Sequence, residues 1–315
     1  MKNTRIIIIA WLLFGIGIGL SFLIYKLDQY KPILEASPSK TVSRDKSHTY
    51  QRIISMIPSV TESVFALGCG DRVVGVTDFC SYPNEAKQKI KVGGFFNPNY
   101  ERILVLKPDL IITLGKSEKI ANFCQRHGIA VLHVEMDSLA TIYIDWIRMA
   151  EALDCVDRAV ELCYDIKNSL EKVQTQVAKQ KKKRVFYCMN RTVGTLAGLH
   201  TIGRSSQFIN ELIALAGGEN IFTDLAPGST RISKEALLQR QPEVIIEPHP
   251  GENLGDAEKT KFLTEWRRLG SLPAVRDGKV YFPTDDYFMI PGPRLAQTAA
   301  LMARMIHTIE LSEQK

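Results

Sequence analysis

Two glutamates carry the first chemical question in this 315-residue chain. Glu101 and Glu235 each stand two residues after a residue suited to cap a helix, Asn99 and Ser233. The segments that hold them, 99–112 and 233–246, align without gaps, and both read as cap, helix, proline turn and strand. A carboxylate in a helix's first turn interacts favourably with the dipole, which would account for either glutamate alone. Displayed at equivalent places on two related halves, they would offer a partner carrying arginines two charge-assisted contacts at a fixed separation.

Catalytic and metal-binding groupings are sparse by comparison. Ser59 and Glu62 are spaced as a capping box opening a helix over 59–68, and no histidine or lysine close in sequence could activate the Ser59 hydroxyl. Asp285 and Asp286 are adjacent, so their carboxylates point different ways. The six histidines lack the spacing of a preformed cage. A receptor for bare zinc or manganese would need His133, Glu135, His249 and Asp286 to converge, and no spacing motivates that. The six cysteines contain no C-x-x-C pair. Cys155 and Cys163 lie about 12 Å apart along one helix, beyond disulfide reach. These residues predict a protein that is not an enzyme and holds no resident metal or cofactor.

The elements that must position the two glutamates centre on one stretch, 155–183. Val156, Ala159, Cys163, Ile166, Leu170, Val173 and Val177 recur at three- and four-residue steps without a glycine or proline, which predicts a single long amphipathic helix. Its length suits a spacer between two lobes, and the same stripe could instead form a coiled-coil seam between two copies. On either side strands alternate with helices: strands at 52–57, 73–77, 109–114 and 129–134, helices at 59–68 and 117–127, then a strand at 184–189 and a helix at 206–216. That alternation predicts mostly parallel sheets covered on both faces.

Composition agrees, since 45% of the residues are hydrophobic, enough for two cores. The net charge of +6 is partly gathered in Lys179, Lys181, Lys182, Lys183 and Arg184 where the long helix ends. A helix C-terminus favours cations, and the absence of interleaved aromatics argues against nucleic acid. Residues 6–25 are apolar throughout and follow Lys2 and Arg5, which predicts an uncleaved single-pass anchor with the remainder exported. The expected organisation is an anchor at 1–27, a polar tether at 28–50, lobes at 51–154 and 184–315, and a linking helix at 155–183.

An ordered series of motifs points further. R-I-I-S-M-I-P-S-V-T-E at 52–62, G-V-T-D-F-C-S-Y-P at 75–83, V-G-G-F at 92–95, E-R-I-L-V-L-K-P-D-L-I-I at 101–112 and G-G-E-N-I-F at 217–222 resemble the iron-siderophore and cobalamin periplasmic-binding family, most of all its cobalamin-binding branch. The resemblance covers residue 51 to the C-terminal helix. It implies two Rossmann-like α/β lobes joined by one long helix (the class III periplasmic-binding-protein architecture), preceded here by a transmembrane helix. It also implies a cleft that captures a cobalamin-like or ferric-siderophore-like ligand and delivers it to the permease of an ABC importer in the cytoplasmic membrane. By the same resemblance Glu101 and Glu235 match the glutamates that engage permease arginines. Ser59, Phe79, Phe95, Phe96 and Tyr287 would face the ligand, and Arg191 or Arg231 would meet an anionic chelate, as could Arg204. The chain departs from the pattern at Ile290, where the family can carry a ligand-facing arginine.

Overall fold

The computed structural model describes residues 49–203, 207–225 and 230–309. The expected anchor at 1–27 and nearly all of the expected tether lie outside the described residues, as do Arg204 and Ser206. Among the described residues no helix is long and apolar enough to cross a membrane.

The first half alternates strand and helix throughout. In chain order it runs β1 (Ile53–Ser55), α1 (Pro58–Ala66), β2 (Val73–Val76), α2 (Asn84–Lys87), β3 (Ile90–Lys91), α3 (Tyr100–Val105), β4 (Leu110–Leu114), α4 (Glu118–His127), β5 (Ala130–Val134) and α5 (Leu139–Leu153). The strands lie in the order β3-β2-β1-β4-β5, and every pair is parallel. β1 and the first four residues of β4 are wholly buried, as a parallel sheet with helices on both faces requires. The chain reverses its direction of travel between β1 and β4, so the carboxyl ends of these strands border a crevice.

The long helix α6 (Val156–Val177) leads into the second half. There follow β6 (Lys183–Asn190), β7 (Leu199–Thr201), α7 (Gln207–Leu215), β8 (Gly218–Asn220), β9 (Arg231–Ile232), α8 (Lys234–Arg240), β10 (Val244–Ile246), α9 (Asp256–Trp266), α10 (Pro273–Arg276), β11 (Val280–Tyr281) and α11 (Leu295–His307). The second sheet has the order β11-β10-β6-β7-β9, with β8 pairing β6 as well. Its β11, β10, β6 and β8 are mutually parallel, whereas the β6–β7 and β7–β9 pairs are antiparallel.

The repeat read from the sequence extends to individual hydrogen bonds. Asn99 and Ser233 each cap their helix by accepting from the backbone N–H three residues on. Lys107 and Gln241, matched in the repeat, both turn the chain with φ 45°, and Pro108 and Pro242 follow. The next residue is acidic in both. Asp109 accepts from the backbone of Gln51 and Arg52 at 2.7 and 2.9 Å, and Glu243 accepts from Arg184 N–H and Lys183 Nζ at 3.0 Å each. Each acid therefore fixes the start of the central strand of its own sheet.

Helix α6 ends six residues before the sequence suggests. From residue 179 the chain is a lysine run with no apolar positions to bury, and the Lys183 N–H bonds Gly217 O, which recruits it to β6. Six residues of the expected stripe, Ala159, Cys163, Ile166, Leu170, Val173 and Val177, are buried, while Val156 is 39% exposed. They belong to one apolar cluster that also contains Trp146 of α5, Leu212 of α7, Met302 of α11 and residues of both sheets. The stripe is covered by its own chain, so no seam remains for a coiled coil with a second copy. Helix α5 was not foreseen, although Ser138 and Thr141 open it with a reciprocal cap.

Candidate functional site

The expected capping box at Ser59 does not form. Proline has no N–H to lose and its ring presets a helical φ, so Pro58 takes the first position of α1 and Ile57 becomes the cap. Ser59 is thereby drawn inside the first turn, 2% exposed, and its Oγ makes no hydrogen bond.

Glu62, freed from capping, does something the sequence did not reveal. Its carboxylate accepts from Arg294 Nε at 2.9 Å and Nη2 at 2.5 Å, a two-pronged pair between residues 232 positions apart. Arg294 Nη1 also donates to Asp286 Oδ1 at 2.6 Å, and Ser81 Oγ lies 3.4 Å from Asp286 Oδ2. The guanidinium carbon stands 4.0 Å from the ring centroid of Tyr82 and 5.1 Å from that of Tyr287. Glu62 and Arg294 are 2% and 9% exposed at the side chain. Burial pushes the Glu62 carboxyl above its usual range and the guanidinium pulls it back only in part, while the two carboxylates hold the Arg294 charge in place. A Cβ on Gly292 would stand in ordinary contact, 3.4 Å from Glu62 Oε2, so the turn before Arg294 lies beside the Glu62 carboxylate.

These contacts join loops from the carboxyl edges of both sheets. Glu62 follows β1 on α1, Ser81 and Tyr82 follow β2, and Asp286, Tyr287 and Arg294 follow β11. Beside the junction stand large rings in water. Phe79 is 73% exposed and Phe96 is 92% exposed, exposures that folding alone does not favour. Phe95 packs edge-on to Phe96 at 5.2 Å between centroids and is itself half-buried against the apolar cluster beneath. Asp78 N–H donates to Gly93 O at 3.2 Å, so the loops after β2 and β3 touch. The Tyr287 hydroxyl is pushed up to about 12 by burial and by Asp285. The result is a set of rings on short loops, rooted in a rigid sheet, with an arginine and two carboxylates at their edge.

The expected arginines divide. Arg191 follows β6 but turns inward, with its side chain 1% exposed. Its Nε donates to Glu247 Oε1 at 2.9 Å, its Nη1 pairs with Glu265, and its guanidinium lies 5.4 and 5.6 Å from the rings of Phe262 and Trp266. Trp266 Nε1 donates to Glu247 Oε2 at 2.7 Å. An arginine neutralised by two buried carboxylates offers no charge to a ligand, so the expectation for Arg191 is corrected. Arg231 is exposed on β9, at the edge of the second sheet. His249 stands 3.4 Å from Glu247 and 3.1 Å from Glu252, and these carboxylates raise its pKa against burial. Among the described residues no group of three or more His, Cys, Asp or Glu is placed to hold a metal ion.

Glu101 and Glu235 are both exposed in the first turns of α3 and α8. Hydrogen bonds from its own backbone N–H and from Ser233 hold the Glu235 carboxyl below its usual range.

Residues 53–287 match a family model described as periplasmic binding protein. The chain belongs to the periplasmic binding protein family. It is 29% identical over 265 residues to an uncharacterised ABC transporter substrate-binding lipoprotein of Bacillus subtilis, covering 82% of this chain and 80% of that protein. It is 27% identical over 248 residues to a vitamin B12-binding protein of Vibrio parahaemolyticus, covering 78% of this chain and 85% of that one. Among solved structures, a possible iron-binding (periplasmic solute-binding) protein of Staphylococcus epidermidis superposes with a TM-score of 0.72 at 26% identity, covering 82% of this chain and all of that one. These relatives are binding proteins rather than enzymes. The fold of this periplasmic binding protein, two sheets with helices on their faces, agrees with its family.

Proposed function

We propose that this chain is the ligand-capturing component of an ABC importer, anchored by its N-terminal segment 6–25, which takes a corrinoid or a ferric chelate between its two halves. The single observation that supports this best is the pair of rings Phe79 and Phe96, held in water on adjoining loops at the carboxyl edge of a parallel sheet. Flat macrocycles bury large faces against such rings, and polar groups at the rim fix their orientation. Tyr82, Phe95 and Tyr287 complete the apolar side, with Arg294 and Asp286 at its border. The relatives named for vitamin B12 and for iron support the ligand class. Glu101 and Glu235, exposed at matched places, are the docking pair for permease arginines.

The test is titration of the purified protein, by calorimetry and visible absorbance, with cyanocobalamin, hemin, a ferric hydroxamate chelate and zinc ion. One of the three large ligands is expected to bind with a Kd of about 1 μM or tighter, and Phe79→Ala is expected to weaken it about tenfold. Saturable binding of zinc alone, with no response to the three chelates, would reject the reading.

A further inference from the structure

Two of the six cysteines meet far from the rings. Cys69 follows the end of α1, just past Gly68 with its φ of 77°, and Cys155 is the residue that opens α6. Their sulfurs stand 3.5 Å apart, although 86 positions separate them in the chain. The backbones on either side are already tied together. Arg72 Nη1 donates to Leu153 O at 2.7 Å, and Arg158 Nε donates to Ala66 O at 3.2 Å. A disulfide would shorten the distance between the sulfurs to about 2.05 Å.

We propose that Cys69 and Cys155 are a reversible disulfide site, which in its oxidised form staples the end of α1 to the start of the helix joining the two halves. The inference rests on this contact and is independent of the transport reading. In an oxidising compartment such a pair closes.

The microenvironments of the thiols differ in the way exchange chemistry uses. The hydrogen bond between the sulfurs draws Cys69 down to about 7, with Arg72 adding a smaller pull, and pushes Cys155 up. By contrast, burial pushes Cys124 up to about 11 and Cys163 up to about 12, which leaves them protonated and inert. Cys69 is buried and Cys155 is half-buried, so a small disulfide RS–SR reaches Cys155 first. Cys69, ionised first with its proton given to water, takes the Cys155 proton as the Cys155 sulfur attacks one sulfur of RS–SR; that S–S bond breaks and the leaving thiolate recovers a proton from water. The Cys69 sulfur then attacks the Cys155 sulfur, its proton passing to the second thiolate as it leaves, so that two thiols are released. Two cysteine thiols are oxidised and one external disulfide is reduced.

Full-length protein is equilibrated with oxidised or reduced glutathione, denatured, alkylated and digested, and its peptides are weighed. The expected result is a linked peptide holding Cys69 and Cys155, lighter than the two reduced peptides by two hydrogens, that appears only after oxidation. Closing a loop of this length is also expected to raise Tm by about 5 °C or more relative to the reduced protein, a gain absent from Cys155→Ser. Recovery of both cysteines alkylated after oxidation, linkage of Cys69 to a different cysteine, or an unchanged Tm in the linked protein overturns the proposal.

Discussion

Arg191 and Arg294 show how one residue type acquires two meanings. Each is paired with two carboxylates, yet Arg191 is sealed beneath aromatic rings in the second half, whereas Arg294 bridges the halves with Tyr82 and Tyr287 against it. Neither setting was legible, because it depends on partners far along the chain: Glu247 and Glu265 for the first, Glu62 for the second. The Arg191 cluster gives a pH signature through its neighbour. His249 has a folded pKa raised by Glu247 and Glu252 above its unfolded value near 6.5. Its contribution to stability is therefore fully present below that unfolded value and is lost as pH rises through the higher folded one. The Tm of the wild type is expected to exceed that of His249→Gln by a few degrees at about pH 5.5, with the gap closing toward about pH 8.5. A gap that stays constant or widens with pH would contradict this account of the cluster.

At the scale of elements, the short helices were the most legible. Asn99, Ser117 and Ser233 cap as their side chains dictate, and Gly128 closes α4 with φ 66° as a glycine stop should. The reading failed at Ser59 because two local signals compete there, and the proline at the first helical position prevails over the serine behind it. The long helix was recognised by its stripe, but the end was misplaced because periodicity says nothing about where a neighbouring sheet captures the chain. The cover over that stripe makes a quantitative prediction. Leu170, 3% exposed inside the shared cluster, is expected to cost about 2–5 kcal/mol when replaced by alanine, read from the shift in urea midpoint. A loss below about 0.5 kcal/mol would mean that α6 stands free of the halves it joins.

For the whole molecule the test of function is whether the two halves act as one docking face. The variant with Glu101→Ala and Glu235→Ala together is expected to keep ligand affinity within about twofold and to lose about tenfold or more of uptake in cells, since exposed rim charges govern encounter rather than ligand retention. Normal uptake by that variant would remove the docking assignment. By itself the sequence determined the alternation of strand and helix, the internal repeat with its matched caps, turns and acids, and the helix between the halves. All of these follow from hydrogen bonds and periodicities spanning a few residues, or from comparing one stretch with another. Only the tertiary structure decided which residues meet across the crevice. The Glu62–Arg294 bridge, the inward turn of Arg191, the exposure of Phe79 and Phe96, and the approach of Cys69 to Cys155 each depend on packing within a half or between the halves. Contacts between residues tens or hundreds of positions apart leave no periodic trace in the chain that makes them.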